Sequence, residues 1–263
     1  MKPPVILTIA GFDPSAGAGT LADVKTMSAF GGYGVAAITS LTFQNTQGVF
    51  GAQHQSRQTL AAQLTALFDD FDIAAVKTGM LPAPEIIAEV AHQISAKKIL
   101  HFVVDPVVRS TSGYDLIDDP TLQVLIEQLF PLASIITPNA AEAERITGIK
   151  LTDTETMQQA AEALLKMGAK AVLVKGGDVD GVTATDLLAD ESGTAIFSTT
   201  KIQSSSTHGT GCTLSSALAC LLALNYSLRD AIPLAKEYIS KAIRHAPGIG
   251  KGYGPLQHFP PEF

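Results

Sequence analysis

The stretch Thr207-His208-Gly209-Thr210-Gly211-Cys212-Thr213 runs into an apolar segment, residues 214–224. Two glycines let the backbone turn tightly, so successive N–H groups converge at the start of the helix that the apolar segment predicts. A helix N-terminus of that kind holds an anion, such as a phosphoryl group on which charge is developing. Cys212 falls in the first turn, where the helix field favours thiolate, so its pKa is expected to fall. A partly ionised thiol can take a proton from a substrate hydroxyl. A loop around a small buried cysteine accounts for the same residues equally well. Cys220, deeper in the helix, reads as core.

A second candidate is the loop Gly11-Phe12-Asp13-Pro14-Ser15-Ala16-Gly17-Ala18-Gly19, with Asp23 four residues on. No Gly-Lys-Ser/Thr follows, so it is not a P-loop. Gly17-x-Gly19 is followed by Ala22, and no acidic residue ends the next strand, so a dinucleotide fingerprint and a dinucleotide oxidoreductase are disfavoured. A tight strand–helix turn is the plain alternative. A third candidate is carboxylates near strand ends: Asp105 in Val104-Asp105-Pro106, and Glu142 in Thr137-Pro138-Asn139-Ala140-Ala141-Glu142. Mg²⁺ keeps several waters and needs only one or two carboxylates beside substrate phosphates; alone, Glu142 reads as a solvated helix residue. Lys175, before Gly176-Gly177, could reach a phosphate or lie on the surface.

These residues need a frame. Short apolar runs at 5–10, 34–41, 73–76, 99–105, 134–137 and 171–175 alternate with helical spacing at 20–30, 60–68, 84–96, 121–129, 152–167, 212–224 and 228–245, and residues 183–188 and 194–199 alternate like a hairpin. The pattern predicts a single α/β domain spanning 1–263, in three layers, with a mostly parallel central sheet flanked by helices. Ligands in such sheets gather beyond the carboxyl ends of the strands. Asp13, Gln44, Lys77, Asp105, Asn139, Lys175 and Asp186 are the polar residues there, each also readable as a cap or turn residue; Gln44 is expected in a loop after the second strand.

The chain has 263 residues, 46% hydrophobic and 16% charged, with mean hydropathy +0.23. That composition supports a sizeable core and excludes disorder. With 18 basic against 25 acidic residues, net −7, and no basic run, it carries no nucleic-acid footprint. Cys212 and Cys220 are too few for a disulfide scaffold or a four-cysteine zinc site. No run is long enough to span a membrane and the start lacks a signal peptide's apolar stretch, so the cytoplasm is expected.

The order of Gly11–Gly19, Gln44-Asn45-Thr46, Lys77-Thr78-Gly79-Met80, Val104-Asp105-Pro106-Val107, Thr137-Pro138-Asn139-x-x-Glu142-Ala143, Val174-Lys175-Gly176-Gly177 and His208-Gly209-Thr210-Gly211-Cys212-Thr213 resembles the bacterial hydroxymethylpyrimidine/phosphomethylpyrimidine kinases of thiamine biosynthesis, in the ribokinase superfamily. The resemblance implies a ribokinase-like fold and MgATP-dependent phosphorylation of 4-amino-5-hydroxymethyl-2-methylpyrimidine, then of its monophosphate. It implies that Cys212 is the base and that Gly209 to Cys212 form the anion hole. Gln44 would bond the pyrimidine edge, with Gly11, Ala18, Asp23, Met80 and Val107 around the ring. Asp105, Asn139 and Glu142 would form the Mg-phosphate network, Asp105 and Glu142 holding the metal. Lys175, Thr207 and Thr210 would contact ATP phosphates. A homodimer is also implied. The chain departs from many relatives at Thr111, often Lys, and at Asp178, often His.

Two other readings compete. A pyridoxal kinase of the same superfamily also acts on a hydroxymethyl-bearing ring; the Gln44 amide, donor beside acceptor, favours an aminopyrimidine. A nucleotide-binding regulator without catalysis is opposed by the presence of Cys212, Asp105 and Lys175. The stretch around 109–114 is a candidate lid.

Overall fold

The computed structural model describes residues 2–109, 113–177 and 182–261. Thr111 and Asp178 lie outside the described residues, as does the middle of the candidate lid. Nine strands form one sheet in the order β3-β2-β1-β4-β5-β6-β7-β8-β9. They are β1 Val5–Phe12, β2 Tyr33–Asn45, β3 Gly48–His54, β4 Ile73–Thr78, β5 His101–Val104, β6 Ile135–Ile136, β7 Val172–Gly176, β8 Thr183–Asp190 and β9 Gly193–Thr200. The six from β2 to β7 run parallel; β3 at one edge and β8 and β9 at the other are antiparallel.

The helices divide between the two faces. On one lie α1 Gly19–Ala29, α7 Thr210–Ala223 and α8 Leu228–Arg244; on the other lie α2 Arg57–Asp70, α3 Pro84–Lys97, α4 Asp119–Leu129, α5 Ala140–Thr147 and α6 Thr154–Lys166. Each face has its own apolar core. The period-2 rule of strands sorts β1 between them: Ile6 belongs to the core with Met27, Leu218 and Ile232, while Val5, Leu7 and Ile9 belong with Leu60, Ile86 and Leu122. Both faces being covered, the central strands are mostly apolar, as in parallel sheets generally, with Thr8 of β1 and Lys77 and Thr78 of β4 as buried polar exceptions.

Predicted helices and strands appear within a few residues of their expected ends, with one topological difference. The expected loop holding Gln44 is the end of a strand: β2 continues past its last β1 pairing at Leu41 and folds back on β3, with Gln44 opposite Val49. The β3 sequence, Gly-Val-Phe-Gly-Ala-Gln-His, has no strand-like apolar alternation. Pairing with β2 supplies what its side chains do not.

Candidate active site

A cleft of about 820 Å³ opens at the carboxyl ends of β1, β4 and β5. It is lined by Gly11, Ala18, Gln44, Met80 and Val107, by Asp105, Asn139, Glu142 and Lys175, and by Thr207 through Cys212. Seven separate chain segments therefore meet there, each delivered by the end of a strand or the start of a helix.

The segment before α7 turns on Gly209, the N-cap, held at φ 85. A side chain there would be strained by that backbone and would also run into the Gly17 carbonyl. The first i→i−4 bond of α7 runs from Thr213 N–H to Gly209 C=O, so the Gly211 and Cys212 N–H groups precede the helical ladder and have no acceptor within it. Lys175 stands over this turn; a methyl built on Gly211 would lie 3.1 Å from its Nζ.

Cys212 sits in the first turn of α7, and the Gly19 backbone amide at the start of α1 favours its thiolate form. Its pKa is nevertheless raised, to about 11, contrary to the expectation from the helix field. Burial is the main cause; the carboxylates of Asp23 and Asp105 add to it, and Lys77 and the Gly19 amide offset only part. Helix dipoles act on a half-buried sulfur, and desolvation of the thiolate is the larger effect.

Asp23, expected beside the ring, does not line the cleft. Its side chain is out of solvent and pairs with Lys77 Nζ at 2.8 and 3.0 Å, with Ser216 Oγ donating to it at 2.7 Å from one turn further along α7. The residue sits on the inward face of α1, four positions past the loop, which turns it toward the sheet. Burial alone would depress the Lys77 ammonium; Asp23, then Cys212 and Asp105, more than offset this, and its pKa is raised.

Asp105 and Glu142 are 2% and 3% exposed. Asp105 accepts from Lys175 Nζ at 3.0 Å and Thr137 Oγ1 at 3.1 Å. Asn139 and Glu142 form a capping box at the head of α5, Glu142 accepting the Asn139 N–H at 2.8 Å and Asn139 accepting the Glu142 N–H at 2.9 Å. Burial, with the Asp105 charge nearby, raises the Glu142 pKa to about 7, while Lys175 pulls the other way. Among the described residues no group of three His, Cys, Asp or Glu side chains could hold a metal. Two buried carboxylates whose charges oppose one another do suit a hard divalent cation that takes its remaining ligands from water and phosphate. Asp186, one of the strand-end residues, is absent from the cleft and pairs with Lys236 Nζ at 2.6 Å.

Two further residues, to which the sequence motifs assign no role, belong to the site. His208 lines the cleft, and Asp13, noted only as a strand-end polar residue, receives the His208 Nε2–H at 2.8 Å. The sequence signal was there: one lies inside the glycine-cysteine motif and the other inside the first glycine loop.

A family model described as phosphomethylpyrimidine kinase matches residues 13–257. A thiamine biosynthesis bifunctional protein of Geobacter sulfurreducens is 45% identical over 96% of the chain, which spans only 52% of that longer protein. A hydroxymethylpyrimidine/phosphomethylpyrimidine kinase of Rhizobium meliloti is 44% identical, with 97% of each chain covered. Among solved structures, a phosphomethylpyrimidine kinase from Clostridium difficile is 43% identical with TM-score 0.81, covering 91% of this chain and 99% of that one. The pyridoxal kinase of Staphylococcus aureus, in complex with AMP-PCP and pyridoxal, is 33% identical with TM-score 0.91, covering 99% and 95%.

Proposed function

The chain belongs to the phosphomethylpyrimidine kinase family, and from that premise we propose that it is the ATP-dependent kinase that phosphorylates 4-amino-5-hydroxymethyl-2-methylpyrimidine, and then its monophosphate to the diphosphate, for thiamine biosynthesis. The observation that carries the reading is Cys212, whose thiol lines one cleft together with the ring-facing residues Gln44, Met80 and Val107 and the first-turn amides of α7.

The substrate ring lies against Gly11, Ala18, Met80 and Val107, with its amino edge on the Gln44 amide. The hydroxymethyl oxygen attacks the γ-phosphorus of ATP as the bond to the β-phosphate oxygen breaks. Its proton passes to Cys212 Sγ in the thiolate form. Burial keeps that form scarce in the ligand-free protein; Lys77 and the Gly19 amide are the groups that favour it. The Gly209–Cys212 backbone and Lys175, with Thr207 and Thr210 beside them, hold the phosphate charge, which in a loose transition state is where most of the stabilisation acts. Asp105 and Glu142, steadied by Asn139, would hold Mg²⁺, which supplies charge neutralisation on the phosphates.

No helix among the described residues is long and apolar enough to cross a membrane, and a cytoplasmic enzyme using cytoplasmic ATP fits the reading. A homodimer is part of it: β3 is an edge strand, and Phe43 and Phe50 on the protruding β2–β3 hairpin are 54% and 69% exposed. Pyridoxal phosphorylation is the second reading, favoured by the closer superposition on the S. aureus pyridoxal kinase. One coupled assay on hydroxymethylpyrimidine, its monophosphate and pyridoxal decides between them. Turnover of both pyrimidines supports the proposal; turnover of pyridoxal alone overturns it. ATP hydrolysis unaffected by any of the three would point to a regulator.

A further inference from the structure

We propose that Asp13 and His208 form a positioning couple that welds the loop under the substrate ring to the amide cradle that receives the phosphoryl group. The inference rests on the kinase reading for its catalytic consequence.

The Asp13 carboxylate is 1% exposed and takes five donors: Ser15 N–H at 2.8 Å, Ser15 Oγ at 2.7 Å, Gly17 N–H at 3.2 Å, Ala18 N–H at 2.9 Å and His208 Nε2–H at 2.8 Å. Four come from its own loop, whose residues Gly11 and Ala18 line the cleft; the fifth comes from across the fold, one residue before the N-cap of α7. Burial would raise the Asp13 pKa, but these donors, led by His208, bring it down to about 2. The carboxylate is therefore fully charged at neutral pH, and its bonds are charge-assisted and strong.

Backbone packing closes the same joint. Gly17 lies against the His208 ring, and a methyl on Gly17 would collide with it; Gly209 lies against the Gly17 carbonyl. On its far side His208 N–H donates to Gly254 C=O at 3.2 Å. That C-terminal segment is pinned in turn by Thr46, whose Oγ1 accepts Lys251 N–H at 3.0 Å and Gly252 N–H at 3.3 Å. Thr46 is two residues past Gln44. Ring floor, ring edge and phosphoryl cradle thus share one rigid frame, with Asp13–His208 as its charged joint. Neither residue needs to touch a reacting atom. A misplacement of about 1 Å between reacting groups costs about 10²-fold in rate, so the couple should act on turnover.

The test compares Asp13→Asn, His208→Ala, His208→Gln and the Asp13→Asn/His208→Ala double variant. Turnover and hydrogen exchange of the ligand-free proteins are both read. Either disabling variant is expected to lower kcat 10- to 100-fold with KM for pyrimidine and ATP within threefold. The double variant should lose little more than either single one. His208→Gln, whose amide can still donate to Asp13, should recover most of the rate. Amide exchange across residues 207–212 should rise at least tenfold in His208→Ala and stay near wild type in His208→Gln. Additive losses, a loss confined to KM, or unchanged exchange at 207–212 would overturn the proposal. If wild type phosphorylates neither pyrimidine, the kinase reading fails, while the exchange data still decide whether the joint exists.

Discussion

Lys77 Nζ lies 2.8 Å from Asp23 Oδ2, and neither side chain has any contact with solvent. The pair sits beneath the cleft, with Ser216 of α7 donating to Asp23 and with the Lys77 charge acting on Cys212. It joins β4, α1 and α7, the elements that set where the thiol stands.

Removing one member of such a pair strands the other as a buried charge. Lys77→Met should lower unfolding free energy by about 3–5 kcal/mol. The Lys77→Met/Asp23→Leu double variant should recover a large part of that loss. Urea unfolding of the three proteins checks it; a double variant no more stable than the single one would show that packing, not charge, is at stake.

Cys212 should behave as a high-pKa thiol. Because only thiolate alkylates and the pKa stands near 11, the alkylation rate of ligand-free protein should rise about tenfold per pH unit from pH 7 to 9.5 without levelling. Bound substrate and nucleotide should slow it. A plateau below pH 8 would restore the helix-field expectation. Cys212→Ala should cut kcat by about 10²–10⁴-fold with nucleotide affinity little changed.

Asp105→Asn and Glu142→Gln should each raise the Mg²⁺ needed for half-maximal rate, by ~10-fold or more. The Mg²⁺ titration of the steady-state rate is the measurement. An unshifted titration in Glu142→Gln would leave that residue as the capping-box partner of Asn139 and nothing more.

Gln44→Met tests substrate choice. An aminopyrimidine offers both a donor and an acceptor to the amide, and an unpaired buried partner costs about 1–3 kcal/mol. Wild type should prefer the pyrimidine to pyridoxal by roughly 10–100-fold in kcat/KM. The variant should lose most of that margin by weakening the pyrimidine alone. Equal use of both rings by wild type would sink the pairing argument.

His258 gives the fold a pH dependence remote from chemistry. It is 3% exposed, its Nε2 has no hydrogen-bond partner among the described residues, and burial, helped by Lys25, lowers its pKa from 6.5 to about 4. The unfolded chain then binds the extra proton first as pH falls. The stability held by neutral His258 is complete above pH 6.5 and is lost as pH drops toward 4, by up to about 3 kcal/mol. His258→Leu should flatten the stability profile across that window. An unaltered slope in the variant would assign the acid sensitivity elsewhere.

The sequence by itself determined the layers and the location of chemistry. Short apolar runs and helices with period 3.6 are local properties, and in a parallel sheet they fix which strand ends can carry a site. That is why Asp105, Asn139, Lys175 and the residues from Thr207 to Cys212 could all be placed at strand or helix ends before any coordinates. Tertiary structure alone decided what those groups experience. Asp23 and Lys77 are 54 positions apart, and Asp13 and His208 are 195 apart; no local pattern encodes that they meet. The raised Cys212 pKa has the same origin. A helix N-terminus is visible in a sequence, but desolvation depends on everything packed around the sulfur. The β2–β3 hairpin belongs here too, because an edge strand held by backbone pairing needs no side-chain pattern of its own.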